Sequence, residues 1–520
     1  MTLALAPVAL AGEPGTTACF DGTPAIPIEP SREVDGQGTF ALWPTHFQPA
    51  APIGQPLPAS RDSTGYTGFE VPPGEANGLE FFYDLDIVAT DDSAHLFLSY
   101  NAGFQVWDIS GVAARNPTLL AQRDGFEGDF HQFDVPAHHY FKIWDIAAID
   151  PVGAPGATLV VLPGESAVGL TIWDATDKSN PTQLYQDTGR VGVQVAAANI
   201  ADRSYAFYAS NRGVEVYDLS RAREIGPCFE NTATATSLCG GSGNPVWRGR
   251  LEPWPWGRTA YLDVMTAWIA GEARHFVATS DEFPFNDLGA EIRRIVDITQ
   301  LPPTSAVALE GLDTINAGLD LFTIPERAFV RDRYYLGVID AGTLAIYEVT
   351  ECLAPGRIAG QSCAFSAANR RYQQPLGNLP SFSYLQFSTS LGRPFLYQGF
   401  HALCSLPPAV GEPNIEHLLD LEGLASGGPI VDLRGELYED PNHNAPRRRI
   451  DYWSGYYDQA TDGLSAFAPH GGRFHGRFFY RGAQSVFDVH RWAGPPPPSA
   501  EVFADGFESG NTSAWGEVTP

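Results

Sequence analysis

A polar Asp or Gln held between two large apolar residues recurs seven times along this 520-residue chain, at spacings of 49 to 69. The seven are Leu85-Asp86-Ile87, Trp144-Asp145-Ile146, Val193-Gln194-Val195, Leu262-Asp263-Val264, Leu319-Asp320-Leu321, Leu385-Gln386-Phe387 and Ile450-Asp451-Tyr452. A second signal follows each one 19 to 37 residues later: an apolar strand ending, in most copies, in an aromatic and an acid. Its copies are Val106-Trp107-Asp108-Ile109, Ile172-Trp173-Asp174, Val216-Tyr217-Asp218-Leu219, Ile295-Val296-Asp297-Ile298, Ile346-Tyr347-Glu348-Val349, Leu403-Cys404-Ser405-Leu406 and Val486-Phe487-Asp488-Val489. Two signals repeated in a fixed order specify one supersecondary unit used many times over.

The first unit shows the grammar. Phe82 to Ala89 reads as an inner strand carrying Asp86, and Thr90-Asp91-Asp92-Ser93 as a turn. His95 to Tyr100 and Phe104 to Ile109 are the second and third strands, joined by Asn101-Ala102-Gly103, with the glycine supplying positive φ. Asn116-Pro117 opens a fourth, outer strand. Thr158 to Leu184 and Tyr205 to Leu219 repeat the pattern. Four short antiparallel strands per unit predict an all-β chain folded as a seven-bladed β-propeller, with six or eight blades if the inner-strand register shifts. Abundant glycine (53) and proline (42) suit many short strands and turns. The best helix-like stretch, around Asn414 to Gly427, is short.

The pattern G-[LFV]-x-[IV]-[WYF]-[DE]-[IVL] followed by a proline-containing step resembles the LVIVD-repeat family of bacterial propellers. Gly169 to Leu184 matches best, with Gly103 to Leu119 and Gly213 to Leu219 close behind. Val296 and Cys404-Ser405 depart from it. The resemblance covers residues 80–493, implies an exported propeller and lends no catalytic residues. At the C-terminus, Phe503-Ala504-Asp505-Gly506-Phe507-Glu508-Ser509-Gly510-Asn511-Thr512-Ser513-Ala514-Trp515 resembles a short tail of exported Gram-negative proteins.

The chain therefore divides into 1–11, a remnant of an export signal on the small residues of Val8-Ala9-Leu10-Ala11; 12–79, a Pro/Gly-rich segment; 80–493, the propeller; and 494–520, a polyproline spacer and short flexible tail. Within 12–79, Gly38 to Trp43 reads as a strand able to complete the last sheet and close the ring. No run of eighteen apolar residues occurs, so no transmembrane segment is expected. The address read from these signals is secreted, periplasmic or cell-surface.

A formal charge of −29 disfavours nucleic acid as a partner. Six cysteines without a CxxC or Cys/His pattern argue for disulfides over thiolate metal sites. Cys228/Cys239 and Cys352/Cys363, each eleven apart, suit local staples, leaving Cys19 and Cys404 as the remaining pair.

Two residue sets could carry chemistry. Asp86, Asp145, Gln194, Asp263, Asp320, Gln386 and Asp451 would line the channel, one per blade. They would either hold a hard cation such as Ca²⁺ or lock neighbouring blades by accepting backbone amides, the second being favoured for a residue that repeats with the fold. Asp124, Glu127, Asp129, His131, His138 and His139 crowd a loop after the first blade and form a candidate binding surface on the rim. A further set near the last blade includes Asp451, Tyr452, Trp453, His470, Arg473 and His475. No GxSxG, HExxH or phosphate-binding glycine motif is present. The expected function is a monomeric scaffold for a protein or glycan ligand, without a fixed cofactor. The alternative is a polysaccharide lyase or hydrolase using a divalent cation at the channel mouth.

Overall fold

The computed structural model describes residues 40–41, 82–432 and 471–492, with interruptions, the longest at 125–144, 282–292 and 401–416. The described strands form seven sheets. The first sheet runs β2 (Phe82–Ala89), β3 (Ala94–Tyr100), β4 (Gly103–Asp108), β5 (Thr118–Asp124), each antiparallel to the next. The second is β6 (Ala147–Ile149), β7 (Leu159–Leu162), β8 (Leu170–Asp174), β9 (Thr182–Asp187). The third is β10 (Gly192–Ile200), β11 (Arg203–Ser210), β12 (Gly213–Asp218), β15 (Trp247–Arg250). The fourth is β16 (Thr259–Ile269), β17 (Glu272–Asp281), β18 (Arg293–Asp297), β19 (Ser305–Glu310). The fifth is β20 (Leu319–Glu326), β21 (Arg331–Asp340), β22 (Thr343–Glu348), β24 (Arg370–Pro375). The sixth is β25 (Ser383–Ser390), β26 (Arg393–Phe400), β27 (His417–Asp420), β28 (Val431–Asp432). The seventh is β29 (Gly472–His475), β30 (Phe478–Ala483), β31 (Val486–Trp492) and, outermost, β1 (Phe40–Ala41), where Phe40 lies opposite Trp492. Together these sheets make an all-β propeller.

Each sheet is apolar on both faces because each face meets a neighbour. Phe97, Phe104, Val106, Val160 and Trp173 fill the joint between the first and second sheets. Leu159, Tyr185, Tyr208 and Tyr217 fill the next, and Phe322, Leu344, Leu385 and Leu396 fill the joint between the fifth and sixth. The sixth and seventh sheets meet through aromatic pairs, Phe395 with Phe474 and Tyr397 with Phe479, ring centroids 4.4 and 5.2 Å apart. This stacking of large rings explains the high aromatic content.

The glycine before the third strand has a steric reason. Gly169 has φ +63°, and a Cβ there would lie 1.7 Å from the Asp187 carbonyl oxygen. The acid ending that strand makes a turn. Asp108, Asp174, Asp297 and Asp420 each accept the amide two residues on, at 2.9–3.0 Å. The hydroxyls of Ser110, Ser220, Thr299 and Thr350, each two beyond the acid, accept amides near the start of the second strand. Asp218 instead caps helix α1 (Leu219–Ile225) through the Arg221 amide.

Three sequence expectations need correction. The third strand of the sixth sheet is β27, so its signature is Leu419-Asp420-Leu421 and not Leu403 to Leu406. Leu419 packs where most other copies put an aromatic, which hid the strand from an aromatic-plus-acid search. The stretch from Asn414 to Gly427 is mostly that strand followed by one helical turn and a half, α2 (Glu422–Ser426). The seventh inner strand is β29, which carries Arg473 and not Asp451.

The two cysteine pairs are closed, Cys228–Cys239 and Cys352–Cys363. Each belongs to the link between a third and a fourth strand, and each link reaches back to the preceding sheet. β13 (Cys228–Asn231) leaves the third sheet and pairs in parallel with β9 of the second; β14 (Thr236–Ser237) adds beyond it. β23 (Cys363–Ala364) leaves the fifth sheet and pairs in parallel with β19 of the fourth. Cys19 and Cys404 lie outside the described residues.

Candidate functional site: the axial ring

The inner strands bring six of the seven predicted channel residues to one cavity of about 240 Å³. Asp86, Asp145, Gln194, Asp263, Asp320 and Gln386 line it, and Arg473 completes the set. Asp451 lies outside the described residues.

Every acceptor reaches forward to the next inner strand. Asp86 Oδ2 accepts the Ala148 amide at 2.9 Å, and Asp145 Oδ2 accepts the Val195 amide at 2.7 Å. Gln194 Oε1 accepts the Leu262 amide and Asp263 Oδ2 the Leu321 amide, both at 2.8 Å. Asp320 Oδ2 accepts the Phe387 amide, and Gln386 Oε1 accepts the Gly472 amide. The other oxygens of Asp86 and Asp145 accept their own following amides, Ile87 and Ile146. A short acid or amide between two apolar neighbours satisfies this geometry, since the flanking residues pack sideways while the polar tip spans the gap between sheets.

The circle closes differently. Arg473 Nη1 donates to Asp86 Oδ1 at 3.1 Å. A donor thus replaces an acceptor at the one junction where the first and last sheets meet. The sequence signal for this was the triplet Gly472-Arg473-Phe474, whose cation breaks the acid-or-amide pattern. Gly472 is required there, because a Cβ would lie 2.6 Å from the Phe479 ring and 2.7 Å from Tyr397.

Two adjacent ring members interact directly. The Asp263 and Asp320 side chains are hydrogen-bonded to each other. Burial, then the neighbouring Asp263 charge, pushes the Asp320 carboxyl well above the ordinary aspartate value. Burial also raises Asp263, against the hydrogen bond from Asp320 and the amides of Leu321 and Val264. Two buried carboxylates side by side are costly to ionise together, which is why both are pushed upward. Among the described residues no group of His, Cys, Asp and Glu is arranged to hold a metal ion, so the calcium expectation gains no site here.

Of the rim loop, Asp124 ends β5 opposite Gly103, while Glu127, Asp129, His131, His138 and His139 lie outside the described residues. In the last-blade set, His475 ends β29. Sequence reasoning missed a buried polar cluster between the second and third sheets. Arg190, 5% exposed, pairs with Asp187 and lies 4.2 Å over the Trp247 ring. Tyr217 Oη donates to Asp187 at 3.0 Å, and Trp247 Nε1 donates to Glu215 at 2.7 Å. Burial pushes the Glu215 carboxyl up, opposed by Arg190, Trp247 and Arg250. No sequence motif marks this cluster, because its members come from three separate strands and a loop.

No protein-family model matches the chain, and no curated protein matches it. Among solved structures it is similar to the computationally designed Ika8 protein, at 14% identity over 79% of this chain and 96% of that one, TM-score 0.35. It is similar to the Dos1 propeller, at 8% identity over 82% and 83%, TM-score 0.36, and to apo ctPRC2 in an autoinhibited state, at 10% over 82% and 97%, TM-score 0.42. Likenesses of this degree carry no argument about what the chain does.

Proposed function

We propose that the chain is an exported seven-bladed β-propeller that presents a rim to a protein or glycan partner, and that its axial carboxylates serve the fold. The count of seven blades is supported by the inner strands: β2, β6, β10, β16, β20, β25 and β29 each adjoin the next, and β29 adjoins β2. The observation that carries the scaffold reading is the forward-reaching ring. Its acceptors are engaged by backbone amides of the next sheet, which leaves the axis poor in free acids or bases. Binding chemistry then falls to the rims, with the loop from Asp124 to His139 as first candidate. A second feature is Trp268, 63% exposed near the tip of the β16–β17 hairpin. Its amide and carbonyl are both held by the Tyr334 hydroxyl, at 2.9 and 2.7 Å, which fixes the indole's base.

The export reading draws on the C-terminal resemblance and on two closed cysteine pairs, which fit an oxidising compartment. Among the described residues no helix is long and apolar enough to cross a membrane. The test is direct. Purified protein is incubated with a polysaccharide panel with and without EDTA, and the same glycans and envelope proteins are immobilised for binding measurements. Binding weakened by W268A or by replacing 125–139 with a Gly/Ser linker, without product formation, is the expected result. Metal-dependent release of oligosaccharides would replace the scaffold by an enzyme.

A further inference from the structure

Two of the sheets have their outer edges covered by chain from the sheet that follows. The link from Asp218 to Trp247 lays β13 on β9, and the link from Glu348 to Arg370 lays β23 on β19. The links from Asp174 to Thr182 and from Asp297 to Ser305 are too short for such an excursion. The seventh sheet has no link of this kind. β31 runs on toward the C-terminus, and β1, its outer neighbour, is reached from the N-terminus. The sixth sheet, which precedes it, ends among the described residues at β28. That edge is apolar where others are polar. Opposite the acid that ends the third strand stand Thr118, Thr182 and Ser305 in the first, second and fourth sheets, but Val431, 45% exposed, in the sixth. An uncovered apolar strand edge is a template for a further strand.

The chain ahead of β1 holds a matching segment. β13 begins Cys228-Phe229-Glu230, with Phe229 buried, and β23 begins Cys363-Ala364, followed by the buried Phe365. Near the N-terminus the chain reads Cys19-Phe20-Asp21. Its distance from the fourth strand is also similar, Cys19 to Phe40 against Cys228 to Trp247. The other free length of chain at this sheet, residues 493–520, contains no cysteine. The two closed pairs leave Cys19 and Cys404, and Cys404 belongs to the sixth sheet's own chain, between β26 and β27. The heights agree as well. β26 runs away from the acid turn and ends at Phe400, shortly before Cys404. β9 runs the same way, and Cys228 lies opposite Tyr185 in its later half.

We propose that Cys19-Phe20-Asp21 docks as a strand on the outer edge of the sixth sheet, parallel to the strand that β28 begins. Counted from the residue opposite the acid, β13 and β23 pair within the fourth to sixth positions of β9 and β19, which puts the new pairing at residues 434–436. The N-terminal chain then ties the seventh sheet, through β1, to the sixth, and carries Cys19 to the end of the sheet nearest Cys404.

The test uses the full chain, produced in an oxidising compartment. Peptide mapping without reductant should recover Cys19 linked to Cys404 within one copy. Hydrogen exchange should show residues 19–21 protected. A chain lacking residues 1–30 and carrying C404S keeps β1. It should exchange about tenfold faster or more at residues 431–436, with β9 and β19 unchanged. Cys19 found as a free thiol, linked to another cysteine or linked between copies overturns the proposal. Unchanged exchange at 431–436 in the shortened chain also overturns it, since another segment, the C-terminal stretch among them, then covers that edge. If the shortened chain does not fold, the unmodified chain decides: residues 19–21 exchanging at the rate of an unstructured peptide refute the docking.

Discussion

At the scale of single residues, the ring separates two properties of aspartate that usually travel together. What the neighbouring sheet needs is a carbonyl-type acceptor, and Gln194 and Gln386 supply it without charge. The negative charge is then a cost wherever it is buried. Asp320 has its folded-state pKa raised, so its contribution to stability is full below the ordinary value of 3.8 and is lost as pH rises through the folded-state value. Asp320→Asn keeps an oxygen for the Phe387 amide and a donor for Asp263. We expect it to raise Tm at pH 8 and to flatten the fall of Tm between pH 5 and pH 8, as read by calorimetry. An unchanged pH profile would mean that the pair holds no shared proton. Asp145→Ala is the opposite case. It strips an acceptor from the Val195 and Ile146 amides, which should cost roughly 2–5 kcal/mol in urea unfolding, while Asp145→Asn should cost much less.

At the scale of elements, the repeated acid and the hydroxyl two residues later form one device, since each closes the end of the third strand onto the start of the second. In four of the sheets the same acid also pairs diagonally with an Arg near the start of the second strand: Arg203 with Asp218, Arg274 with Asp297, Arg333 with Glu348, Arg393 with Asp420. The cysteine links are a second device. Both lay a parallel strand on the outer edge of the preceding sheet, and so cover an edge that would otherwise face solvent. Replacing Cys228 and Cys239 by Ser should lower stability by about 2–3 kcal/mol, the order expected for a short closed loop. Hydrogen exchange should quicken in β13 and β14 first, with β10 and β16 still protected. Faster exchange across the inner strands at the same time would show that the staple supports the ring itself.

For the whole molecule, the weak point is the junction of first and last sheets. There the forward chain of amide-accepting side chains ends, and a guanidinium contact from Arg473, its side chain 35% exposed, reaches Asp86 in its place, beside the packing of Tyr480 on Leu96, Leu98 and Trp107. Among the described residues, the outer edge of the seventh sheet is covered by the two residues of β1. Arg473→Met should therefore speed amide exchange in β2 and β29 well before β10 or β16. Deleting residues 1–45 should bare the edge of β31 and promote self-association, measured by sedimentation velocity. A ring that opens first between the third and fourth sheets would contradict this account of closure.

The amino-acid sequence by itself determined the repeating unit: four short strands, an acceptor between apolar neighbours on the first, and an acid at the end of the third. These are local requirements, written within about sixty residues of one another, so periodicity exposes them. The pairing of cysteines eleven apart is equally local. The tertiary structure alone decided how the circle ends. Arg473 makes sense only beside Asp86, 387 positions away along the chain, and a search for acids finds the Asp451 triplet in its place. β27 escaped notice because Leu419 fills its slot by packing against the fifth sheet.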